Sequence, residues 1–161
     1  MPDHNNAYQV TDSENMYHIS KLYFGDIEIM IPQNEVVSIE SIYELDTAST
    51  DSKYLGIIYR QGKKLPVYCF SGDMEILDYL PEGSSQCVII RHQQGDYAVL
   101  CHDIKNIVLN DLNIQALPLC MRTKNMPLTH LCLYKEASMS MKMGLITNTD
   151  QLANYISQYG A

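Results

Sequence analysis

Gly56-Ile57-Ile58-Tyr59-Arg60-Gln61-Gly62-Lys63-Lys64-Leu65-Pro66-Val67 is the stretch from which the fold can be read. Two runs of strand formers flank Gln61-Gly62, and glycine readily adopts the positive φ that a two-residue hairpin turn demands. Leu65 and Val67 alternate around Pro66, as in a strand with one buried face. The expectation is a hairpin of Tyr54–Arg60 against Lys63–Phe70.

The pattern recurs outward in both directions. Upstream, Tyr17–Phe24 and Asp26–Ile31 flank Gly25, with Ile27, Ile29 and Ile31 alternating. Pro32 closes the second run because it has no N–H for a ladder. Gln33–Ser38 reads as a short helical turn that faces Val36, Val37 and Ile39 inward, and Ser41–Leu45 as a short extended run. Thr47–Lys53 is polar and loop-like. Downstream, Gly72–Pro81 admits helix or strand, and Gln86–His92 with Tyr97–Cys101 forms a third hairpin around a glycine turn. Ile104–Leu109, Ala116–Cys120, Leu131–Tyr134 and Met141–Ile146 are further strands. The last segment is helical: Asn148, Thr149 or Asp150 can accept a bond from a free first-turn N–H. Leu152, Tyr155, Ile156 and Tyr159 then share one face, and Gly160 supplies a stop. Short strands with glycine turns and one terminal helix predict a mainly β, barrel-like fold. The strands fall into two sets divided near residue 81, hence two lobes. Residues 1–16, polar and aperiodic, read as a flexible tail ahead of a single domain over 17–161.

At 161 residues the chain buries a core without metal or disulfide support. The net charge of −8 repels phosphates, and no basic stripe offsets it, so nucleic acid is not an expected partner. The cysteines Cys69, Cys87, Cys101, Cys120 and Cys132 are odd in number, lack C-x-x-C spacing and mostly sit in apolar runs. They read as free thiols in a reducing compartment. The first residues carry no apolar signal-peptide core, and no apolar run approaches the ~20 residues of a membrane span. The expected setting is cytoplasmic, with no direct membrane insertion. Tyrosine is abundant at 12 against 2 phenylalanines and no tryptophan, which suits half-buried strands and contact surfaces.

Catalytic and metal signatures are missing from the sequence. His4, His18, His92, His102 and His130 are scattered, without metal-ligand spacing. His102-Asp103 is the most suggestive pair, yet neighbours on a strand point to opposite faces. Cys120 and Cys132 have no evident activating base. Asp73, Glu75 and Asp78 read as a solvated acidic face rather than a cation site. Met139, Met141 and Met143 alternate on one strand face; we read them as a core layer, the other reading being an adaptable binding face. No cofactor, metal or catalytic residue is expected.

The quoted stretch resembles the signature of CheW-like domains: a glycine, two aliphatics, Asn-Leu-Arg-Gly, two variable residues, then Leu-Pro-Val. Gly56, Gly62, Leu65, Pro66 and Val67 match it in type and spacing. Tyr59 stands at the asparagine, Arg60 at the leucine and Gln61 at the arginine. The flanks LYFGDIEIMIP, NEVVSI, QGDYAVLCHDIKNI and MGLITNTDQLANYI are similar to the rest of such a domain, over about residues 17–159. His102 stands at the aspartate of an Asp-x-Val strand end, and Thr147 or Asn148 at an aspartate of the final strand.

The resemblance implies two SH3-like five-stranded β-barrel lobes with a C-terminal helix. It implies a non-catalytic adaptor that couples a chemoreceptor's cytoplasmic tip to the regulatory domain of a CheA-type histidine kinase. The departures point to a divergent member, from a pilus-linked, twitching-type array rather than a flagellar one. Candidate partner-binding residues are Val36, Val37, Ile39 and Ile104 for a groove between the lobes, and Arg60, Gln61 and Gly62 on the hairpin. Two other readings are open: a ligand-binding or catalytic barrel using His102, Asp103 and a cysteine, and a competitor that binds the same partners without coupling them.

Overall fold

The structure, a computed structural model, describes residues 16–47, 54–110, 112–121, 127–128, 130–135 and 140–159. The strands are β1 (Tyr17–Phe24), β2 (Ile27–Pro32), β3 (Val36–Ser41), β4 (Gly56–Arg60), β5 (Lys63–Cys69) and β6 (Gln86–Ile90). They continue with β7 (Tyr97–Cys101), β8 (Asp103–Leu109), β9 (Asn113–Ala116), β10 (His130–Tyr134) and β11 (Lys142–Ile146), followed by the helix α1 (Thr149–Tyr159). The fold is mainly β, as the sequence predicts. None of the described helices is long and apolar enough to cross a membrane.

The strands form two sheets. The first has the order β8-β1-β2-β11-β10-β9 and the second β3-β6-β7-β5-β4. The second therefore has five strands and the first six. Each contains one parallel pair, β2 with β11 and β5 with β7, among antiparallel ones. The expected division near residue 81 is corrected. The second sheet takes the unbroken middle of the chain, and the first combines its beginning with its end. The β1–β2 hairpin waits for β8 and β11, its far-off neighbours, and such pairing leaves no mark in the local sequence.

Burial falls into three layers. One core lies within the first sheet and includes Ile19, Met30, Cys132 and Ile146. Another lies within the second sheet and includes Ile58, Leu65, Val67 and Leu100. The largest lies between the sheets: Leu22, Phe24 and Ile29 of the first meet Val88, Ile90 and Val99 of the second, and Leu152 and Ile156 of α1 close it. Strand alternation sends successive residues into different layers. On β6, Cys87 and Ile89 enter the second sheet's core while Val88 and Ile90 enter the central one. This double burial explains the unbroken apolar runs CVII and YAVLC.

Several local expectations change. Gln33–Glu35 is the short 3₁₀ turn, and Val36 and Val37 already belong to β3. Ile42–Glu44 is also a 3₁₀ turn, capped by the Ser41 hydroxyl accepting the Tyr43 N–H, where an extended run was expected. In the ambiguous Gly72–Pro81 stretch the pairing is a single bridge of Phe70 with Ile76. The strand placed at Ala116–Cys120 falls earlier, as β9, with a 3₁₀ turn at Leu119–Met121. The tail over 1–15, most of the 47–53 loop, Met139 and Gly160 lie outside the described residues. Asn148 caps α1, its Oδ1 accepting the Gln151 N–H at 2.9 Å.

Candidate partner-binding groove

Half-buried side chains from both sheets pack at the margin of the central core. On β3 the register shifts between Val36 and Ser38: Val36 pairs with Ile90, and Ile39 with Val88. Directly paired residues share a sheet face, so Val36 and Ile39 both stand on the face that carries Val88 and Ile90 into the central core. Residues three apart on a regular strand would face opposite ways; the bulge puts them together. Val37, the extra residue, packs against the second sheet's core instead. From the first sheet, Ile104 pairs with Leu22 and packs on the central core beside Val36's layer.

The inward placement expected for Val36 and Val37 holds, each packing on a core, and that expected for Ile39 is corrected. The two valines are half-buried, and Ile39 is 42% exposed, an apolar side chain at the rim. Val36 and Ile104 pack on the inter-sheet core, Ile39 stands exposed on the same strand face as Val36, and Val37 packs on the other core. Glu35, next to Val36, ties this margin to the helix: its carboxylate accepts the Thr149 N–H at 2.9 Å. Burial pushes its pKa above the usual carboxylate range, against the opposing effect of that hydrogen bond.

Arg60, Gln61 and Gly62 form a separate surface. Arg60 pairs with Lys63 with no break in register, so the turn is the two residues Gln61-Gly62. Both have positive φ, 51° and 77°, which is the type I′ geometry matched to strand twist. Gln61 and Gly62 are exposed and Arg60 half-buried, on the same strand face as Ile58. A takeover of the arginine's place by Arg60 needs a shifted or bulged turn, and this turn is neither. The hairpin lies at the β4–β5 edge of the second sheet, while β3 forms its other edge.

His102 and Asp103 do not converge on a site. His102 Nδ1 accepts the Gly25 N–H at 3.1 Å, and Nε2 lies 3.3 Å from the Glu82 carbonyl oxygen. The ring thus latches the β1–β2 turn to the segment before β6. Asp103 accepts the N–H of Ile104 at 2.8 Å. Cys101 is buried, and burial pushes its thiol up to about 12, far from the thiolate that a nucleophile requires. Among the described residues, no three His, Cys, Asp or Glu side chains gather in a way that could hold a metal.

The methionine reading is also corrected. Met141 and Met143 are 56% and 48% exposed. The inward face of β11 belongs to Gly144 and Ile146; a Cβ on Gly144 would overlap Met30. Sequence reasoning missed a further feature, a cleft walled by Tyr54, Tyr68, His92 and Tyr97. Its signal was the excess of tyrosine, which names no position.

Comparison with known proteins gives no matching family model and no matching curated protein. Among solved structures the chain is similar to the scaffolding protein TtCheW of Thermoanaerobacter tengcongensis, with a TM-score of 0.58 at 15% sequence identity. The match covers 80% of this chain and 86% of that one. The fold is CheW-like.

Proposed function

We propose that this chain is a chemosensory adaptor without catalytic activity, joining a chemoreceptor's cytoplasmic tip to the regulatory domain of a CheA-type histidine kinase. The observation that carries the proposal is the bulge on β3. It sets Val36 and Ile39 on one strand face, and Val36 and Ile104 pack at the margin of the core between two sheets whose fold is CheW-like. A half-buried aliphatic margin is what an amphipathic helix needs for its apolar anchors. Arg60, Gln61 and Gly62 at the hairpin tip form the second contact, to the kinase. The setting is cytoplasmic, and the array is pilus-linked.

Ile39→Asp tests the groove. The side chain is at the rim, so the fold should hold while an ionised group would enter the apolar contact. Titration calorimetry should give at least about tenfold weaker binding to a receptor-tip fragment, roughly the 1.4 kcal/mol of one desolvated anchor. Binding to the kinase domain should stay unchanged. Equal binding of both proteins to the tip would remove the groove from the proposal, and an unmutated chain that binds neither partner would remove the adaptor. Deletion in the source organism should abolish twitching and spare swimming; the opposite phenotype would overturn the pilus-linked setting.

A second reading has one observation in its favour. Gln61, an uncharged residue, occupies the turn position where the family signature has arginine. A competitor that occupies receptor or kinase without activating it fits this loss of charge. A reconstituted coupling assay separates the two: an adaptor raises receptor-dependent autophosphorylation, and a competitor lowers it.

A further inference from the structure

A cleft of about 290 Å³ opens between the second sheet, the β6–β7 turn and the helix α1. Its walls include Tyr54, Tyr68, His92, Asp96, Tyr97 and Ile156. The rings form a continuous series of near-perpendicular contacts. Tyr54 meets Tyr68 at 6.2 Å and 77°, Tyr68 meets Tyr97 at 6.3 Å and 74°, and His92 meets Tyr97 at 6.1 Å and 69°. Perpendicular rings form corners, so a group entering a corner meets the π-face of one ring and the edge of the next.

Carboxylates stand in and near this cleft. Asp96 lines the cleft and is held by accepting the His92 N–H at 3.0 Å. Asp150 lies 3.3 Å from His92 Nε2. Glu35 sits against the first turn of the helix. The described lining contains no lysine and no arginine. The frame is fixed: the Tyr97 hydroxyl donates to the Thr149 carbonyl at 2.9 Å, and the Thr149 hydroxyl donates to the Arg91 carbonyl at 2.7 Å. Ring faces with an adjacent carboxylate attract organic cations, whose weakly held hydration is readily exchanged for aromatic contact.

We propose that the cleft binds an organic cation, a guanidinium or alkylammonium group, between its tyrosine rings and Asp96. The site is independent of the adaptor reading, and none of Val36, Ile39, Ile104 or Arg60 lines it. The cation is carried either by a free small molecule or by a basic side chain of a peptide, and the test separates the two.

L-Argininamide is titrated into the full chain and followed by amide NMR shifts of Gly95, Asp96 and Ser157. The argininamide is used with its α-amine acetylated; Nα-acetyl-L-citrullinamide, similar in shape but uncharged, is the control, and an end-capped hexapeptide with one central arginine is the second probe. Argininamide should bind about tenfold or more tighter than citrullinamide. Asp96→Asn keeps the acceptor for the His92 N–H and removes the charge; Tyr68→Leu keeps apolar bulk and removes the ring. Each should weaken argininamide about three- to tenfold, with melting unchanged in Asp96→Asn and lowered only by the lost ring contacts in Tyr68→Leu. A hexapeptide that binds tighter than argininamide assigns the cation to a protein partner, and the reverse order assigns it to a small molecule. Equal binding of argininamide and citrullinamide, unchanged affinity in both variants, or no shift with either cationic probe at millimolar concentration overturns the site. Kinase-domain binding, measured in the same samples, reports on the adaptor reading separately.

Discussion

Lys21 is a buried cation on β1, with none of its surface exposed. It enters the core of the first sheet among Ile19, Met30 and Cys132. Its Nζ donates to the Tyr134 hydroxyl at 3.2 Å and lies 3.8 Å from Glu28 Oε1, while Tyr134 donates to Glu28 Oε2 at 2.6 Å. The two ways of breaking the pair should differ. Glu28→Gln keeps the shape and an acceptor for Tyr134, but removes a countercharge from beside a buried ammonium. Loss of one partner of a buried pair costs about 3–5 kcal/mol. For a chain of this size that is a fall in melting temperature of roughly 6–20 °C. Lys21→Met removes the ammonium and fills its place with an apolar chain. Glu28 keeps its bond from Tyr134, and its side chain is 18% exposed, so its charge is partly hydrated. The cost should be about 1 kcal/mol or less. The double variant should recover part of the Glu28→Gln loss, a coupling of about 1–3 kcal/mol. Thermal and urea unfolding at neutral pH, followed by circular dichroism, measures all three. Equal losses for the two single variants, or strict additivity in the double, would refute the reasoning.

Further outcomes follow from the geometry. Gly62→Val puts a β-branched residue at φ 77° and should cost about 1–3 kcal/mol in urea unfolding; Gln61→Asn, a residue better suited to left-handed backbone, should instead gain about 0.5 kcal/mol. Asn148→Ala removes the acceptor for the Gln151 N–H and should cost about 1 kcal/mol, with loss of helical ellipticity at lower temperature. Burial pushes Cys69 and Cys87 up to about 11 and Cys101 up to about 12, from an ordinary value of 9.0. Unfolded thiols ionise first, so their contribution to stability is present below pH 9 and is lost as pH rises from there through 11 to 12. Under reducing conditions the melting temperature should therefore fall across that window, and substitution of Cys101 by alanine should flatten the fall. In the native protein at pH near 8, the exposed Cys120 should be alkylated quickly while the four buried thiols are spared.

The features legible in the sequence were local. The Gln61-Gly62 turn, the Gly25 turn, the β6–β7 hairpin and the α1 cap each depend on a few adjacent residues, and each stands where the pattern placed it. The lobe boundary depends on β1 and β2 meeting β8 and β11 from the far end of the chain. No window of adjacent residues contains that information, so the division near residue 81 followed chain order and missed the interleaving. The methionines failed for a related reason. Alternation identified a shared face for Met141 and Met143 but not which face was inward; Gly144, which admits the Met30 side chain, made that choice.

The groove was half legible for a reason that the β3 bulge makes plain. Its residue types were visible in NEVVSI, but their sides were not, because a regular strand would have separated Val36 from Ile39. One extra residue, Val37, reverses the phase after it and brings both to the face that carries Val88 and Ile90. A bulge is recorded in the count of residues between two pairing partners, and that count needs the partner strand β6 as well as β3. Deleting Val37 should therefore spare the groove. Val36, Ser38 and Ile39 would then oppose Ile90, Ile89 and Val88 one to one, and a regular strand would keep Val36 and Ile39 on one face. The expected result is a folded protein, with a melting temperature lowered by the lost packing on the second sheet's core, that binds a receptor tip as well as Val37→Ala, which keeps the bulge and loses the same packing. If the deletion abolished tip binding while Val37→Ala preserved it, a shared face for Val36 and Ile39 would not be what forms the groove.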